Sequence, residues 1–535
     1  DDIYTIIYPN ITKGSIVEYG TEISFGVSYA PPPLDHDINL QFDIPCEQLS
    51  FKYMYPDWWE IQLKRRNQYA YCPAEFIDDI ENKKKILQYT GSNIPALEWE
   101  PYSPEFKQVA TYLEFMVKNL KMGAGSFDRP SDWNDIAEEF YKYVIKKSDH
   151  KKLNLKAGSV PLVDKDISTL KEFTDIITKN TIKDIDKIDA IITYIQDNID
   201  ISSKSHDGNN SKIITDQQGN RYDITALAKN MIESVGINSD YLLVHSEADG
   251  YFDPDYVMHS QMYIPAVRVL TQDDTLVLFP YMKHLPLGHT PSYFQGETAL
   301  IIGKETLLGM WTVPKGNRLE NIDFGTYEIN INEDGIINVS EEKKFTGSIA
   351  YELREELIEM TDDEKKKFVE KNASYADGDI AWDSYEFINI DKHREDLIIS
   401  MKYTINNLVT ITPEEIIVQT AGLISPITNN KYQLSAKNRQ NPIYIRYDQT
   451  FSKNIKINYP PQWVLTSDLN DVKTENMFGE LSKKHTAENG SLVIDINLIL
   501  KRLRAKKDTY SELLDLTGNN TDFSVPALLF EQQSI

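Results

Sequence analysis

Residues 219–237 decide the fold of this chain, and they read GNRYDITALAKNMIESVGI. From Ile224 to Val235 the apolar residues recur every three or four positions, which is the spacing of one helix face. Gly236 stands where a left-handed residue commonly ends a helix. The stretch therefore predicts a helix over Ile224–Val235, entered through a turn at Gly219–Asp223.

Sequence on both sides of this helix extends the pattern. The same spacing predicts three earlier helices: Trp133–Val144 behind the cap candidates Ser131 and Asp132, then Ile167–Ile177 and Ile185–Ile199. Apolar runs predict three strands, at Tyr241–His245, Gln261–Leu270 and Thr275–Phe279. Helices that precede a small antiparallel sheet are α+β organisation, which we assign to residues 126–312.

Both flanks are predicted to be mainly β. Residues 15–21 alternate as a strand does before Pro31-Pro32-Pro33 breaks the run, so we expect an N-terminal β-sandwich domain over 1–125 whose start lies before residue 1. Beyond 313 the alternation resumes at Tyr327, and Asp334-Gly335 signals a hairpin. We expect a C-terminal mainly-β sandwich domain over 313–535, with one charged helix near 347–372. The chain is thus predicted to be an α+β multidomain protein.

The charge balance limits the partners. Asp and Glu number 82 against 56 Lys and Arg, and the net charge of -26 would repel a phosphate backbone, so nucleic acid is excluded as a partner. No apolar run reaches the roughly 18 residues of a transmembrane segment. The start, Asp1-Asp2-Ile3, lacks the charged and apolar regions of a signal peptide, so we expect a mature or trimmed terminus.

The central pattern resembles the core of the bacterial transglutaminase-like superfamily. The resemblance rests on IITYIQDNI at 191–199, on GNRYD at 219–223, and on the helix that follows to Gly236-Ile237. In that superfamily the turn usually reads Gly-Asp-Cys-x-Asp, and a His and an Asp follow on successive strands. A helix N-terminus lowers the pKa of the thiol, the His acts as base, and the Asp fixes the tautomer of the His.

The flanking sequence resembles Gram-negative envelope proteins that carry such cores. The similar stretches are residues 8–19 and 93–101 before the core, 285–291 and 295–302 at its end, and 346–350 after it. This resemblance implies a periplasmic, outer-membrane-associated or cell-surface location and favours a lipoprotein. The sequence leaves open whether a signal peptide and lipid anchor precede residue 1. The resemblance also implies other envelope proteins as partners.

The chain departs from the superfamily at all three catalytic positions. Arg221 stands at the nucleophile position, Gln261 or Met262 at the base, and Phe279 at the orienting carboxylate. His259 is two or three residues off register and would need a bulge to serve as base. The two cysteines, Cys46 and Cys72, both precede the core. We therefore expect a pseudoenzyme with no catalytic residues.

Arg221 has two interpretations. A cation near a helix N-terminus is disfavoured, so we expect Arg221 to turn outward or to pair with a carboxylate such as Asp223. Alternatively, Arg221 recognises an anion in a converted cleft that also includes Asp223 and His259. Cys46 and Cys72 form one disulfide or remain two buried thiols, because spacing alone does not decide between them.

The resemblance, together with the replaced catalytic positions, implies a scaffold, accessory or binding subunit of an outer-membrane or periplasmic assembly. One alternative is a pseudoenzyme that binds a peptide or glycan in an open groove bordered by Arg221, Gln261 and Phe279. Another is a hydrolase or transamidase with relocated catalytic residues. No cofactor or metal is expected, since the spacing of His245, His259, His284 and His289 is too irregular for a zinc site.

Overall fold

The computed structural model describes residue 12 and residues 35–66, 74–79, 83–122, 125–148, 152–271, 274–304, 306–316, 320–373, 379–420, 422–423, 439–488, 490–517 and 527–532. The predicted strand at 15–21 and Cys72 lie outside the described residues. We divide the described chain into an N-terminal unit (35–128), a central unit (133–312) and a C-terminal unit (322–532). The domain boundaries at 125 and 312 stay a prediction.

The N-terminal unit consists of two sheets. Its elements are β1 (Asp35–Asn39), β2 (Cys46–Pro56), β3 (Trp59–Arg66), β4 (Ala74–Asp79), β5 (Lys84–Ile94), α1 (Phe106–Val109), β6 (Tyr112–Met122) and β7 (Gly125–Asp128). One sheet has the order β1-β6-β3 with β7 beside β6, and the other has the order β2-β5-β4. A shared core of buried side chains, including Leu40, Tyr55, Leu87 and Leu113, joins the sheets.

The central unit places helices before a five-stranded antiparallel sheet. Its helices are α2 (Trp133–Phe140), which continues as a π-helical turn (Tyr141–Ile145), α3 (Lys146–Ser148), α4 (Leu170–Ile177), α5 (Asp184–Asn198), α6 (Asn210–Asp216) and α7 (Arg221–Ser234). Its strands are β8 (Lys152–Leu155), β9 (Ile167–Thr169), β10 (Asp200–Ile201), β11 (Gln218–Gly219), β12 (Ser239–Val244), β13 (Ile264–Leu270), β14 (Thr275–Leu278), β15 (Thr298–Gly303) and β16 (Thr306–Thr312). The main sheet has the order β14-β13-β12-β15-β16. The α+β organisation is confirmed.

Helix α7 lies at the centre of this unit. Its buried Leu227 and Met231 share a core with Ile192 of α5, Phe173 of α4 and Val267 of β13. Because this apolar face is enclosed by two helices and the sheet, the position of the α7 N-terminus is fixed by packing.

Capping moves two helix starts away from their predicted positions. Helix α7 begins at Arg221, three residues earlier than predicted, because the Asn220 side chain accepts a hydrogen bond from the Asp223 N–H at 2.8 Å. Helix α4 begins later than predicted, because Thr169 and Glu172 form a capping box. Gly236 ends α7 with φ of 85°, as predicted.

The C-terminal unit is built on an eight-stranded sheet. Its elements are β17 (Ile322–Ile331), β18 (Ile337–Phe345), α8 (Gly347–Glu359), α9 (Asp362–Ala373), β19 (Asp379–Ile388), β20 (Leu397–Asn406), β21 (Val409–Ile411), β22 (Ile416–Gln419), β23 (Ile443–Ile445), β24 (Gln449–Asn458), β25 (Trp463–Leu465), β26 (Val472–Asn476), β27 (Gly479–Glu488), β28 (Ser491–Leu500), β29 (Leu503–Ala505), α10 (Tyr510–Thr517) and β30 (Ala527–Gln532). The large sheet has the order β19-β20-β18-β17-β24-β28-β27-β26. Strand β17 is antiparallel to β18 but parallel to β24.

Two local predictions in this unit have different outcomes. The hairpin at Asp334-Gly335 is confirmed, since Gly335 has φ of 78° between β17 and β18. The single charged helix is in fact two helices, α8 and α9. They separate because Thr361 and Glu364 form a second capping box, in which the Glu364 carboxylate accepts from the Thr361 N–H at 2.8 Å.

Polar contacts join the three units. The Tyr444 hydroxyl of β23 donates to Glu247 of the central unit at 2.8 Å. Arg502 donates to the side chain and the main-chain carbonyl of Gln295, both at 2.8 Å. The guanidinium of Arg439, in the C-terminal unit, donates to the main-chain carbonyls of Pro101 and Tyr102 in the N-terminal unit. Each helix among the described residues is too short or too polar to cross a membrane.

Candidate functional site

Arg221 is the first residue of α7, at the position where the resemblance implies a nucleophile. Its guanidinium carbon lies 5.0 Å from the ring centre of Tyr222 and 5.1 Å from that of Tyr263. A guanidinium nitrogen donates to the Tyr222 hydroxyl at 3.2 Å, and this hydroxyl donates to the Tyr263 carbonyl at 3.1 Å. Arg221 is therefore held half-buried against two aromatic rings, where each cation–π contact contributes about 0.5–1 kcal/mol or more.

No acidic side chain forms an ion pair with Arg221 among the described residues. The expected partner, Asp223, is buried, and its carboxylate accepts from the N–H groups of His206 and Gly208 at 2.8 and 3.0 Å. Arg221 thus neither turns outward nor pairs with Asp223. The reason is that the loop 205–208 folds over the first turn of α7 and takes the carboxylate.

We expect Asp223→Ala to destabilise the central unit by about 2–3 kcal/mol, because the buried N–H groups of His206 and Gly208 would lose their acceptor. Amide hydrogen exchange should show faster exchange at 205–208. The control is Asp200→Ala, since Asp200 pairs with Lys283 at 2.8 Å on the surface and is 74% exposed. That change should cost less than about 1 kcal/mol. Equal effects of the two changes would contradict the prediction.

The positions predicted for the base and its orienting acid lie in the core. Gln261 is buried, accepts from the Asp253 N–H at 2.8 Å and donates to the Asp253 carbonyl at 3.1 Å, so it fixes the turn beside it. Phe279 is buried and stacks on Phe294, with ring centres 4.8 Å apart. Arg221, Gln261 and Phe279 therefore do not border one open groove.

His259 is also separate from Arg221. Its side chain is 48% exposed, and Nε2 lies 3.0 Å from Oε2 of Glu139 on α2. Residues 259–261 form a short 3₁₀ turn, and β13 begins only at Ile264. Because the strand starts three residues later than predicted, Tyr263 rather than Gln261 or Met262 is the residue next to Arg221.

Three tyrosines surround Arg221, and sequence analysis missed them. The third is Tyr281, beside Tyr222 and Tyr263. Burial raises the pKa of Tyr281, and the nearby charge of Arg221 offsets part of this rise. The Tyr281 hydroxyl is buried and has no hydrogen-bond partner among the described residues. The pKa of Tyr263 is raised by burial and by a hydrogen bond with Asp249, and is lowered again by Arg221.

A signal for these tyrosines exists in the sequence. Each tyrosine follows, by one or two residues, a position that the resemblance assigns to the catalytic triad: Tyr222 after Arg221, Tyr263 after Gln261, and Tyr281 after Phe279. We call Arg221, Tyr222, Tyr263 and Tyr281 the arginine–tyrosine cluster. It combines a fixed guanidinium and a buried hydroxyl at the N-terminus of a helix, whose dipole favours negative charge, and such a set of groups binds anions.

The remaining candidates lie apart from this cluster. Nδ1 of His245 is 2.7 Å from Glu297, and Nε2 of His289 is 2.9 Å from the Ser348 hydroxyl. Within the described ranges, no three His, Cys, Asp or Glu side chains converge as metal ligands would. Cys46 lies on β2 with its thiol directed at the Gln48 carbonyl, 3.2 Å away, and its pairing with Cys72 is untested.

His289 should make stability depend on pH. Burial lowers the pKa of His289 to about 4 from its usual 6.5, so the folded protein keeps the ring neutral. The imidazole of His289 in the unfolded chain binds a proton below about pH 6.5. The contribution of the neutral ring to the free energy of unfolding is therefore complete above that pH and is lost as the pH falls towards 4. We expect a loss on the order of 3 kcal/mol. Denaturation of His289→Gln from pH 7 to 4 should give a flatter profile than the unchanged protein, and parallel profiles would contradict this.

Comparison with known proteins supports the fold. A family model, DUF3858, described as a domain of unknown function with solved structure, matches residues 415–522. The chain is similar to the crystal structure of a "putative protease" from Parabacteroides distasonis, with a TM-score of 0.51, 13% identity, and coverage of 94% of this chain and 75% of that chain. The likeness shows the fold, and it spans nearly all of the present chain.

A second match is weaker. A "putative cysteine protease" from Cytophaga hutchinsonii matches with a TM-score of 0.19 and 9% identity over 46% of this chain and 75% of that one, which is too low to carry an argument. No curated protein matches the chain. The expected multidomain α+β fold is therefore supported by both the architecture and the first match.

Proposed function

We propose that this protein is a non-catalytic, transglutaminase-like binding protein that captures the free terminal carboxylate of a peptide at the arginine–tyrosine cluster. One observation carries the proposal: a half-buried guanidinium at a helix N-terminus, held by two aromatic rings and without an ion-pair partner among the described residues. A guanidinium in this setting is a ready donor to a carboxylate, which it can contact through two parallel N–H groups.

The sequence supports the absence of thiol catalysis from the central unit. Neither cysteine lies in the central unit, and Arg221 occupies the start of α7. The neighbouring positions supply a buried amide and a buried phenyl ring, neither of which transfers a proton. In a well-studied hydrolase, loss of the nucleophile alone lowers kcat by about 10⁶, so these replacements support a binding role rather than a slow enzyme.

A singly charged ligand suits the cluster better than a polyanion. The net charge of -26 repels highly charged ligands at long range, whereas one carboxylate can be compensated locally by Arg221. The buried hydroxyl of Tyr281 offers one further donor, and the peptide N–H groups at the start of α7 favour negative charge. An acidic glycan would use the same groups, and it is the competing outcome in the test.

The test measures peptide binding by isothermal titration calorimetry. Acetylated tripeptides with a free C-terminal carboxylate should bind, while the same peptides with an amidated C-terminus should not. Arg221→Ala should weaken binding about 10- to 100-fold, the value of a hydrogen bond to a charged group, and Arg221→Lys should restore only part of it. Equal binding of acid and amide peptides, or binding of uronic-acid oligosaccharides alone, would contradict the peptide assignment.

His259→Ala is the matched control and also tests for relocated catalysis. Because His259 contacts Glu139 and not the cluster, this change should leave peptide binding unaltered. Amine release from the amidated peptides should be absent in both proteins. Hydrolysis that resists thiol reagents and disappears in His259→Ala would establish an enzyme instead. The scaffold role and the envelope location remain predictions from the resemblance.

A further inference from the structure

One contact between the central and C-terminal units is made by the loop 389–396, which connects β19 to β20 and lies against α5. Arg394 of this loop pairs with the carboxylate of Asp189 at 2.8 Å and donates to the Thr193 hydroxyl. Asp189, Thr193 and Asp197 follow one another at intervals of four residues, so they share one face of α5. The loop therefore docks on a polar face of a central helix.

Helix α8 holds this loop in one conformation. Arg354 of α8 is 1% exposed and donates to three main-chain carbonyls of the loop, those of Asn389, Lys392 and Glu395. The side-chain amide of Asn389 donates to the Asp396 carbonyl at 3.1 Å and closes the loop. Because these bonds fix the loop from within, it docks on α5 or leaves it as one piece.

A histidine from each unit lies at this contact. His393 belongs to the loop, and His284 belongs to the segment after β14, where Gln196 of α5 donates to the carbonyls of Met282 and Leu285 at 2.8 and 3.0 Å. Nε2 of His393 and Nδ1 of His284 are buried and have no hydrogen-bond partner among the described residues. A neutral imidazole can carry its one proton on the other nitrogen, whereas a protonated ring would bury an N–H group that has no acceptor.

The charges around the two rings also favour the neutral form. Three cations and two carboxylates face the pair: Lys283, Arg354, Arg394, Asp197 and Asp391. Burial is the main cause that lowers the pKa of both histidines, to about 4 for His393. The cations and the second ring lower the pKa of His393 further, and Asp197 opposes them only in part. The docked contact therefore keeps both rings uncharged near neutral pH.

We propose that His284 and His393 make this contact sensitive to pH, so that protonation of the two imidazoles in weakly acidic solution releases the loop 389–396 from α5 and loosens the junction between the central and C-terminal units. A histidine that leaves the contact regains its usual pKa of about 6.5. The contribution of the neutral rings to docking is therefore complete above that pH and is lost as the pH falls towards 4. The inference does not depend on the binding function proposed above.

The experiment is amide hydrogen exchange of the full chain at pH 7.5 and at pH 5.0, with rates corrected for the effect of pH on exchange in unstructured peptides. Protection of 389–396 and of 281–285 should fall by about 30-fold between the two conditions, which is the change that the lowered pKa of His393 alone produces. The central strands of the large sheet should keep their protection, because they do not take part in the contact.

Histidine variants test whether the pair is responsible. The double variant His284→Gln with His393→Gln should show the same protection of 389–396 at both pH values. The control is His485→Gln, since His485 is a half-buried histidine whose pKa is also lowered by burial, but it lies on β27 at the far end of the large sheet. This change should leave the 30-fold effect on the loop unaltered.

Three results would overturn the proposal. The loss of protection could persist in the double variant, it could disappear in His289→Gln, whose ring contacts Ser348 of the C-terminal unit, or it could extend equally to all three units as general acid unfolding. If the double variant does not dock at pH 7.5, His284→Gln alone decides. It should reduce the effect on the loop to below about 10-fold, because the charge of His284 no longer opposes protonation of His393.

Discussion

Replacing Arg439 with alanine is expected to destabilise the C-terminal unit by about 3–5 kcal/mol. The Arg439 side chain is fully buried, stacks on Tyr510 with its guanidinium carbon 4.4 Å from the ring centre, and lies 3.9 Å from the equally buried carboxylate of Glu100. It donates to four main-chain carbonyls, those of Pro101, Tyr102, Asn441 and Pro442. Its removal leaves a buried negative charge and several carbonyls without donors.

Hydrogen exchange is the suitable measurement, since a chain of several units need not unfold in a single step. Amides of 98–105 and of α10 should lose protection together in Arg439→Ala. The control is Arg394→Ala, because Arg394 pairs with Asp189 at 2.8 Å but is 41% exposed, and its loss should cost less than about 1 kcal/mol. Loss of protection at only one of the two segments would show that Arg439 does not couple them.

Gly479→Ala is expected to disrupt the start of β27 and to destabilise the large sheet by about 3 kcal/mol or more. Gly479 has φ of 152°, a conformation that side chains rarely adopt, and an added Cβ would overlap the main-chain carbonyl oxygen of Ile499 on the paired strand β28. The clash is with backbone, so neither strand can relieve it without breaking the ladder.

A glycine in β16 provides the control for this prediction. Gly309 has φ of 147°, nearly the same as Gly479, but an added Cβ there would have no neighbour within 4 Å. Gly309→Ala should therefore show the conformational cost alone, about 1–2 kcal/mol. Urea denaturation of both variants measures the difference. If the two changes lower the free energy of unfolding equally, the close approach of β28 to Gly479 adds nothing to the effect of Gly479→Ala.

The sequence predicted the elements better than their boundaries. Apolar spacing located the helix that became α7 and the strand run that became β13, because burial of one face imposes a period on the residues. It could not show that Asn220 caps α7 three residues early, or that a 3₁₀ turn delays β13 until Ile264. These boundaries depend on local hydrogen bonds, which periodicity does not report.

The candidate site was predicted only in part, because the positions of its other residues depend on where strands begin and end. The arginine at the start of α7 follows from alignment of one turn, and the structure places it at that helix terminus. Tyr263 and Tyr281 reach it only because β13 begins and β14 ends at the same side of the sheet. Contacts between such distant segments depend on strand register, so a shift of a few residues replaced Gln261 by Tyr263.

The parallel pairing of β17 with β24 has a consequence for folding. Ile322 is in register with Thr450, so the centre of the large sheet cannot close until α8, α9 and strands β18 to β23 have left the ribosome. Contacts across so long a loop form slowly, because the entropy of closure is lost before the contact adds stability. Until then one side of β17 stays unpaired, and refolding chains at high concentration will associate along that edge.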